Sequence, residues 1–336
     1  DIENARAFNE GREKSFSRVG VKAIDALTLE VRLRHPVPYF LHLVASPGTF
    51  PVRMDLVQRY GDQWTAPANL VTLGPYRIEE WVQGERIVLQ ANPDYSGPAP
   101  EIASVICLLV SEPLAALALF ENGGLDVLPR DLPPSLASSL QASPAFRTGP
   151  KLQVSYFLFN TKRGPFDKVE NRKAFVRVLN RKQLASYFRG TQAVTTSWIP
   201  PGLLGHREEV GIQAESAESA LLQGRSIEIR YSGSDTWNLV FQAVQRQLEE
   251  KLQAGARLQP VDAGDYGEFL SLLSTAKGRT EPLPHILHLS WVADYPDSHS
   301  FMNVFTSTSE SNYARWSNRE YDQLIEKAAG ESDMKK

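Results

Sequence analysis

The sequence predicts a mixed α/β fold built in two large domains. Its 336 residues exceed what a single hydrophobic core commonly serves. Runs with the two-residue period of strands alternate with runs of helical period along the whole chain. After Leu152 the pattern shifts to longer helices, which places the passage between the domains there.

Each element has a local reason. Asp1 to Gly20 is polar with scattered apolar positions and reads as a helix tail and loop. Lys22 to Arg34 reads as two strands around Asp25-Ala26, since Leu29, Val31 and Leu33 alternate with charged neighbours. Pro36 and Pro38 stop it. An apolar stretch covers Tyr39 to Ser46, and Asp55 to Gly61 has helical spacing. Arg77–Trp81 and Glu85–Gln90 form a hairpin, with Gly84 free to take positive φ. A strand over Ile102 to Val110, with Cys107 buried in it, leads to a helix from Ser111 to Asn122, capped by Ser111 and stopped by Gly123 or Gly124. Leu125 to Leu128 reads as a strand and Leu132 to Ser139 as a short helix.

Leu152 to Asn160 is a long apolar strand. Helices are expected over Lys168–Arg177, Arg181–Phe188 and Glu215–Leu222, with Trp198 to Gly202 in a loop. Ser226–Tyr231, Arg257–Val261 and Ile286–Trp291 read as strands. Asp235–Leu252 is the clearest helix, because Trp237, Val240, Val244 and Leu248 share one face. Tyr321–Ala329 is the last helix.

Composition excludes several classes. Lys and Arg total 36 against 39 Asp and Glu, a net charge of -3, which argues against a nucleic-acid binder because such proteins usually carry a basic excess. No apolar run approaches the ~18 residues of a membrane span. A lone cysteine forms no internal disulfide and no Cys-based metal cage. The sequence contains no G-x-S-x-G elbow, P-loop, G-x-G-x-x-G or H-E-x-x-H. His285 and His288 stand an odd number apart on a strand, which sends them to opposite faces and argues against a metal pair. No catalytic residue, cofactor or metal is therefore expected. The chain opens without Met or a signal-peptide pattern and stops just after an amphipathic run, so it is expected to be a piece lacking both ends.

Several motifs, taken in order, carry a resemblance. They are Gly74-Pro75-Tyr76-Arg77-Ile78-Glu79-Glu80-Trp81, Gly84 to Leu89 and Asn92-Pro93-Asp94-Tyr95. They continue with Leu117 to Gly123 before Leu125-Asp126-Val127, Pro165-Phe166-Asp167 before Arg172-Lys173-Ala174-Phe175, and Trp291-Val292-Ala293-Asp294-Tyr295-Pro296-Asp297. Together they resemble the bacterial extracellular solute-binding proteins of family 5, the oligopeptide- and dipeptide-binding proteins of ABC importers. The sequence departs from the family in being shorter at both ends and in carrying Asn171 where a small apolar residue often precedes the Arg. Arg172 itself is expected to form a salt bridge between elements.

The resemblance implies a two-lobed periplasmic-binding-protein-like fold of the class II, cluster C type, with mixed sheets flanked by helices and lobes joined by a hinge. Residues 1–19 would be a remnant of the small accessory domain, 20–154 lobe I, and 155–336 the second large lobe, truncated at its C-terminus. Short peptides would bind in the cleft between lobes through main-chain hydrogen bonds. The ligand's α-ammonium, costly to bury alone, would meet Asp294. Trp291 would wall the pocket, Tyr295 would line or brace the loop, and Trp198 is a further candidate ligand contact.

The expected partners are a peptide or related small solute and the membrane permease of an ABC importer, with no nucleic acid and a monomeric state. The expected location is periplasmic, or extracellular on a lipid anchor. The same architecture carries nickel complexes, oligosaccharides and other solutes, and a sensor could use it without transport. An enzyme would need converging acid, base or nucleophile groups, and the sequence offers none at recognisable spacing.

Overall fold

The computed structural model describes residues 1–128, 134–208, 222–262, 273 and 283–331. The chain begins with α1 (Ala5–Asn9), the antiparallel pair β1 (Val21–Ala23) and β2 (Leu29–Val31), and α2 (Phe40–Val44). Next come α3 (Met54–Tyr60), β3 (Tyr76–Val82), β4 (Arg86–Ala91), β5 (Ser104–Leu108) and α4 (Pro113–Glu121). Then follow α5 (Pro134–Leu140), β6 (Gln153–Phe159), α6 (Val169–Val178), α7 (Arg181–Ser186), β7 (Ser226–Gly233), α8 (Asp235–Leu252), β8 (Gly255–Asp262) and β9 (Ile286–Val292). The helices α9 (His299–Met302) and α10 (Arg319–Ala329) close the described chain.

By contacts these elements fall into two compact units, Asp1–Ser46 with Pro134–Lys336, and Pro47–Pro133. These bounds differ from those of the expected lobes. The mixed α/β class and the helix-flanked sheets are as the sequence predicts.

In the smaller unit, β3, β4 and β5 form an antiparallel sheet in that order. The β3–β4 turn uses Gly84 at φ +73, where a side chain would be strained. A register shift between Ile78 and Glu80 marks a bulge. Three expectations need correction here. Cys107 lies on a strand but is exposed, because β5 is an edge strand with Ile106 and Leu108 also exposed. The cap of α4 is Glu112 ahead of Pro113, in place of Ser111. Leu125 to Leu128 joins no strand: α4 ends at Asn122 and Gly123, and the chain continues as bends.

The larger unit is organised by a four-stranded sheet of order β6-β9-β7-β8. β9 runs antiparallel to β6 and parallel to β7, and β7 runs parallel to β8 through α8. Alternation along the strands sends residues to two cores. One joins Ile227, Ile229 and Ile286 to Phe166, Phe175, Val240, Phe241, Val244 and Leu248 under the helices. The other joins Leu158, Leu287 and Leu289 to Leu283 and Ala314. Each of the leucine, isoleucine, valine and phenylalanine side chains, when fully buried, contributes roughly 1.5–3 kcal/mol. α8 keeps its predicted bounds; the Ser234 side chain accepts from the Trp237 N–H, and Gln253 ends the helix in the left-handed region.

Among the described residues Arg172 forms no salt bridge, contrary to expectation. Its guanidinium donates to the carbonyls of Phe166 at 2.6 Å and Asp167 at 3.2 Å, pinning the turn before α6. Asn171 is buried and donates to the Pro165 carbonyl at 2.6 Å. The helix expected over residues 215–222 lies outside the described residues except for Leu222.

Candidate functional site

The loop after β9 leaves the sheet at the carboxyl end of a strand that runs parallel to β7, the kind of position at which α/β sheets place ligand sites. The Ala293 N–H still donates to the Leu152 carbonyl at 2.9 Å. The chain then turns, and α9 supplies the groups that hold it. Ser300, 3% exposed, does so twice: its Oγ accepts from the Asp294 N–H and its carbonyl accepts from the Trp291 indole N–H, both at 2.9 Å. Asp297 Oδ1 accepts from the His299 N–H at 2.8 Å.

This bonding separates two carboxylates that residue type alone does not distinguish. Asp297 takes the turn-forming role. Asp294 is left with no hydrogen bond or ion pair to its carboxylate among the described residues. Partial burial raises the pKa of Asp294, since removal from water disfavours the charged form.

Asp294, Trp291 and Tyr295 line one open recess of about 420 Å³, within the size range of small-molecule sites. Arg6, Asn9 and Glu10, from α1 and its end, line it too, as do Asn303 and Glu310. Arg6 Nε donates to Glu10 Oε1 at 2.8 Å, and Arg12 Nε donates to the other oxygen of the same carboxylate at 2.7 Å, so Glu10 is shared by two guanidinium groups.

Tyr295 braces the loop from behind. Its hydroxyl lies 2.7 Å from His299 Nδ1, and both rings stack on Tyr39. Burial raises the Tyr295 pKa and lowers that of His299, so the phenol stays protonated and the imidazole neutral. Either the hydroxyl donates to Nδ1 or the Nδ1 tautomer donates to the hydroxyl, and each keeps the two side chains joined.

Trp198 is not among the residues lining the recess. Its indole N–H donates to the Phe301 carbonyl at 2.6 Å, and its ring packs edge-on against Tyr156 at 4.7 Å and beside Phe305 at 4.9 Å. The sequence reading did not single out Tyr39, Ser300, His299 or the α1 wall. Asp297 two residues before His299 does have the spacing of a local Asx turn. Tyr39 carries none, because its partners lie more than 250 residues away.

The sequence profile of the bacterial extracellular solute-binding proteins, family 5 Middle, matches residues 3–313. The chain belongs to this family. Similar family 5 proteins include the periplasmic oligopeptide-binding protein OppA of Salmonella typhimurium, 28% identical across 93% of this chain and 60% of OppA. The probable deoxycholate-binding periplasmic protein YgiS of Escherichia coli is 27% identical across all of this chain and 64% of YgiS. Among solved structures, the murein tripeptide binding protein MppA of Escherichia coli superposes with a TM-score of 0.81 at 27% identity, covering 99% of this chain and 67% of MppA. An oligopeptide-binding protein of Borrelia burgdorferi gives 0.79 at 26%, with coverage of 99% and 67%. The chain thus spans about three fifths of the length of its similar sequence relatives.

Proposed function

We propose that this chain forms the ligand-receiving part of an ABC importer's solute-binding protein, and that it takes short peptides by their free N-terminus. The observation that carries the reading is the Asp294 carboxylate: it is partly desolvated, lines an open recess and makes no ion pair with the protein among the described residues. A ligand ammonium would supply that cation and repay the cost of desolvation. Trp291, pinned through its indole N–H, gives the recess a flat apolar wall. Tyr295 fixes the loop, and Trp198 is read as a brace beneath α9. Main-chain hydrogen bonds to the peptide would leave its side chains largely unread.

The protein would bind without turnover, act as a monomer with no nucleic acid, and hand its cargo to a membrane permease from the periplasm or an extracellular lipid anchor. No helix among the described residues is long and apolar enough to cross a membrane. The similarity to a deoxycholate-binding protein raises a second ligand class, but a steroid acid would bring its own carboxylate toward Asp294. Like charges in a partly desolvated site repel, so the amine is favoured. A thermal-shift screen of the full-length protein against peptides, oligosaccharides and deoxycholate tests the reading. Peptides should raise the melting temperature in a dose-dependent way. A rise with deoxycholate or a sugar, and none with peptides, would overturn it.

A further inference from the structure

Tyr39 lies in His35-Pro36-Val37-Pro38-Tyr39-Phe40, where two prolines fix the backbone on its approach. Its side chain is buried, yet it belongs to neither of the two hydrophobic cores of its unit. Its ring lies flat against Tyr295, with centroids 4.5 Å apart and planes 9° from parallel. The same ring stacks on His299 at 4.8 Å and 17°. Tyr295 and His299 are in turn joined by their 2.7 Å hydrogen bond.

These three rings grip the loop at both ends. Tyr295 directly follows Asp294, and His299 directly precedes Ser300, whose Oγ holds the Asp294 N–H. Asp294 thus hangs between two points fixed to one platform, and that platform comes from the N-terminal segment of the chain. A carboxylate that accepts no hydrogen bond of its own among the described residues has only its backbone to aim it.

From this we infer that Tyr39 is a positioning residue for the ligand ammonium: its stacked ring keeps the 294–300 loop in the conformation that points Asp294 into the recess. The inference rests on the reading of Asp294 given above. It also makes residues 1–46 part of the ammonium site without a ligand contact from Tyr39.

Calorimetry on the full-length protein with tri-alanine and N-acetyl-tri-alanine separates positioning from a merely structural role. The quantity read is the ratio of the two affinities. Tyr39→Leu, which fills the volume but cannot stack, should lower tri-alanine affinity roughly tenfold, the range of a hydrogen bond to a charged group. It should change binding of the acetylated peptide far less, so the ratio falls toward one. Tyr39→Phe, which keeps the ring, should restore the wild-type ratio.

An unchanged ratio in Tyr39→Leu, whether both affinities fall together or neither moves, would overturn the inference. Asp294→Asn serves as the control: if it lowers the ratio and Tyr39→Leu does not, only the Tyr39 inference fails. If Asp294→Asn itself leaves the ratio unchanged, the ammonium reading fails and this one with it. Should Tyr39→Leu lose its circular-dichroism signature, His299→Leu breaks the same stack from the loop side and is read by the same ratio. Loss of fold in both would assign the stack to global stability and overturn the positioning role.

Discussion

Ser300 Oγ accepts a hydrogen bond from the main-chain N–H of Asp294 at 2.9 Å, across a turn six residues long. The same serine's carbonyl holds the Trp291 indole. One buried residue at the start of a short helix thus fixes both the proposed charged contact and the proposed apolar wall. Ser300→Ala removes only the hydroxyl. It should cost about 1 kcal/mol, the net worth of an ordinary hydrogen bond. Calorimetric melting should fall by a few degrees, and peptide affinity by several-fold as the loop loosens.

The Asp294 carboxyl has a pKa above that of an ordinary aspartate because it is partly buried. An ammonium ligand binds the ionised form. Peptide affinity should therefore be complete at neutral pH and fall on acidification, beginning at a higher pH than a solvated aspartate would give. Titration calorimetry over a pH series checks this, and in Asp294→Asn the same series should be flat.

His288 is the group most exposed to acid stress. It is buried on β9 with both ring nitrogens unpartnered, boxed by Trp237 at 3.8 Å, Phe241 at 5.4 Å and Phe157 at 6.1 Å between centroids. Burial lowers its pKa from 6.5 to about 3. Below pH 6.5 the unfolded chain takes a proton that the folded chain refuses, until the pH nears 3. The stability held above that window is therefore lost as pH falls through it, by up to about 1.4 kcal/mol per pH unit. His288→Leu should flatten the fall in melting temperature over the same range; a slope equal to wild type would contradict this.

Trp198 separates stability from binding. Trp198→Phe keeps an aromatic ring among Tyr156, Phe301 and Phe305 but leaves the Phe301 carbonyl without its 2.6 Å donor. A loss of about 1 kcal/mol is expected, the net worth of one hydrogen bond, because the Asn303 N–H still reaches that carbonyl. Thermal melting should drop while peptide affinity at low temperature stays at the wild-type value.

Local pattern carries the elements well and their assembly poorly. The apolar stripe Trp237, Val240, Val244 and Leu248 makes α8 readable from the sequence, while its Ser234 cap emerges only in the structure. The place of β9 between β6 and β7 is not readable, because it depends on pairings such as Phe157 with His288, more than a hundred residues apart. Cys107 shows the same limit: an apolar strand reads as buried whether or not a neighbour covers it, and β5 is an edge. At the site, Trp291, Asp294 and Tyr295 stand together in one motif and were legible as a unit. Type alone does not tell Asp294 from Asp297; the resemblance favours Asp294, and the bond from the His299 N–H to Asp297 assigns the turn to the other carboxylate.

The most direct measurement compares a short peptide bearing a free N-terminus with its N-acetylated form, titrated calorimetrically into the full-length protein and into Asp294→Asn. Wild type should prefer the free amine by roughly tenfold or more, the value of a hydrogen bond to a charged group, and the variant should lose most of that preference. Equal affinity of wild type for both peptides would contradict the account.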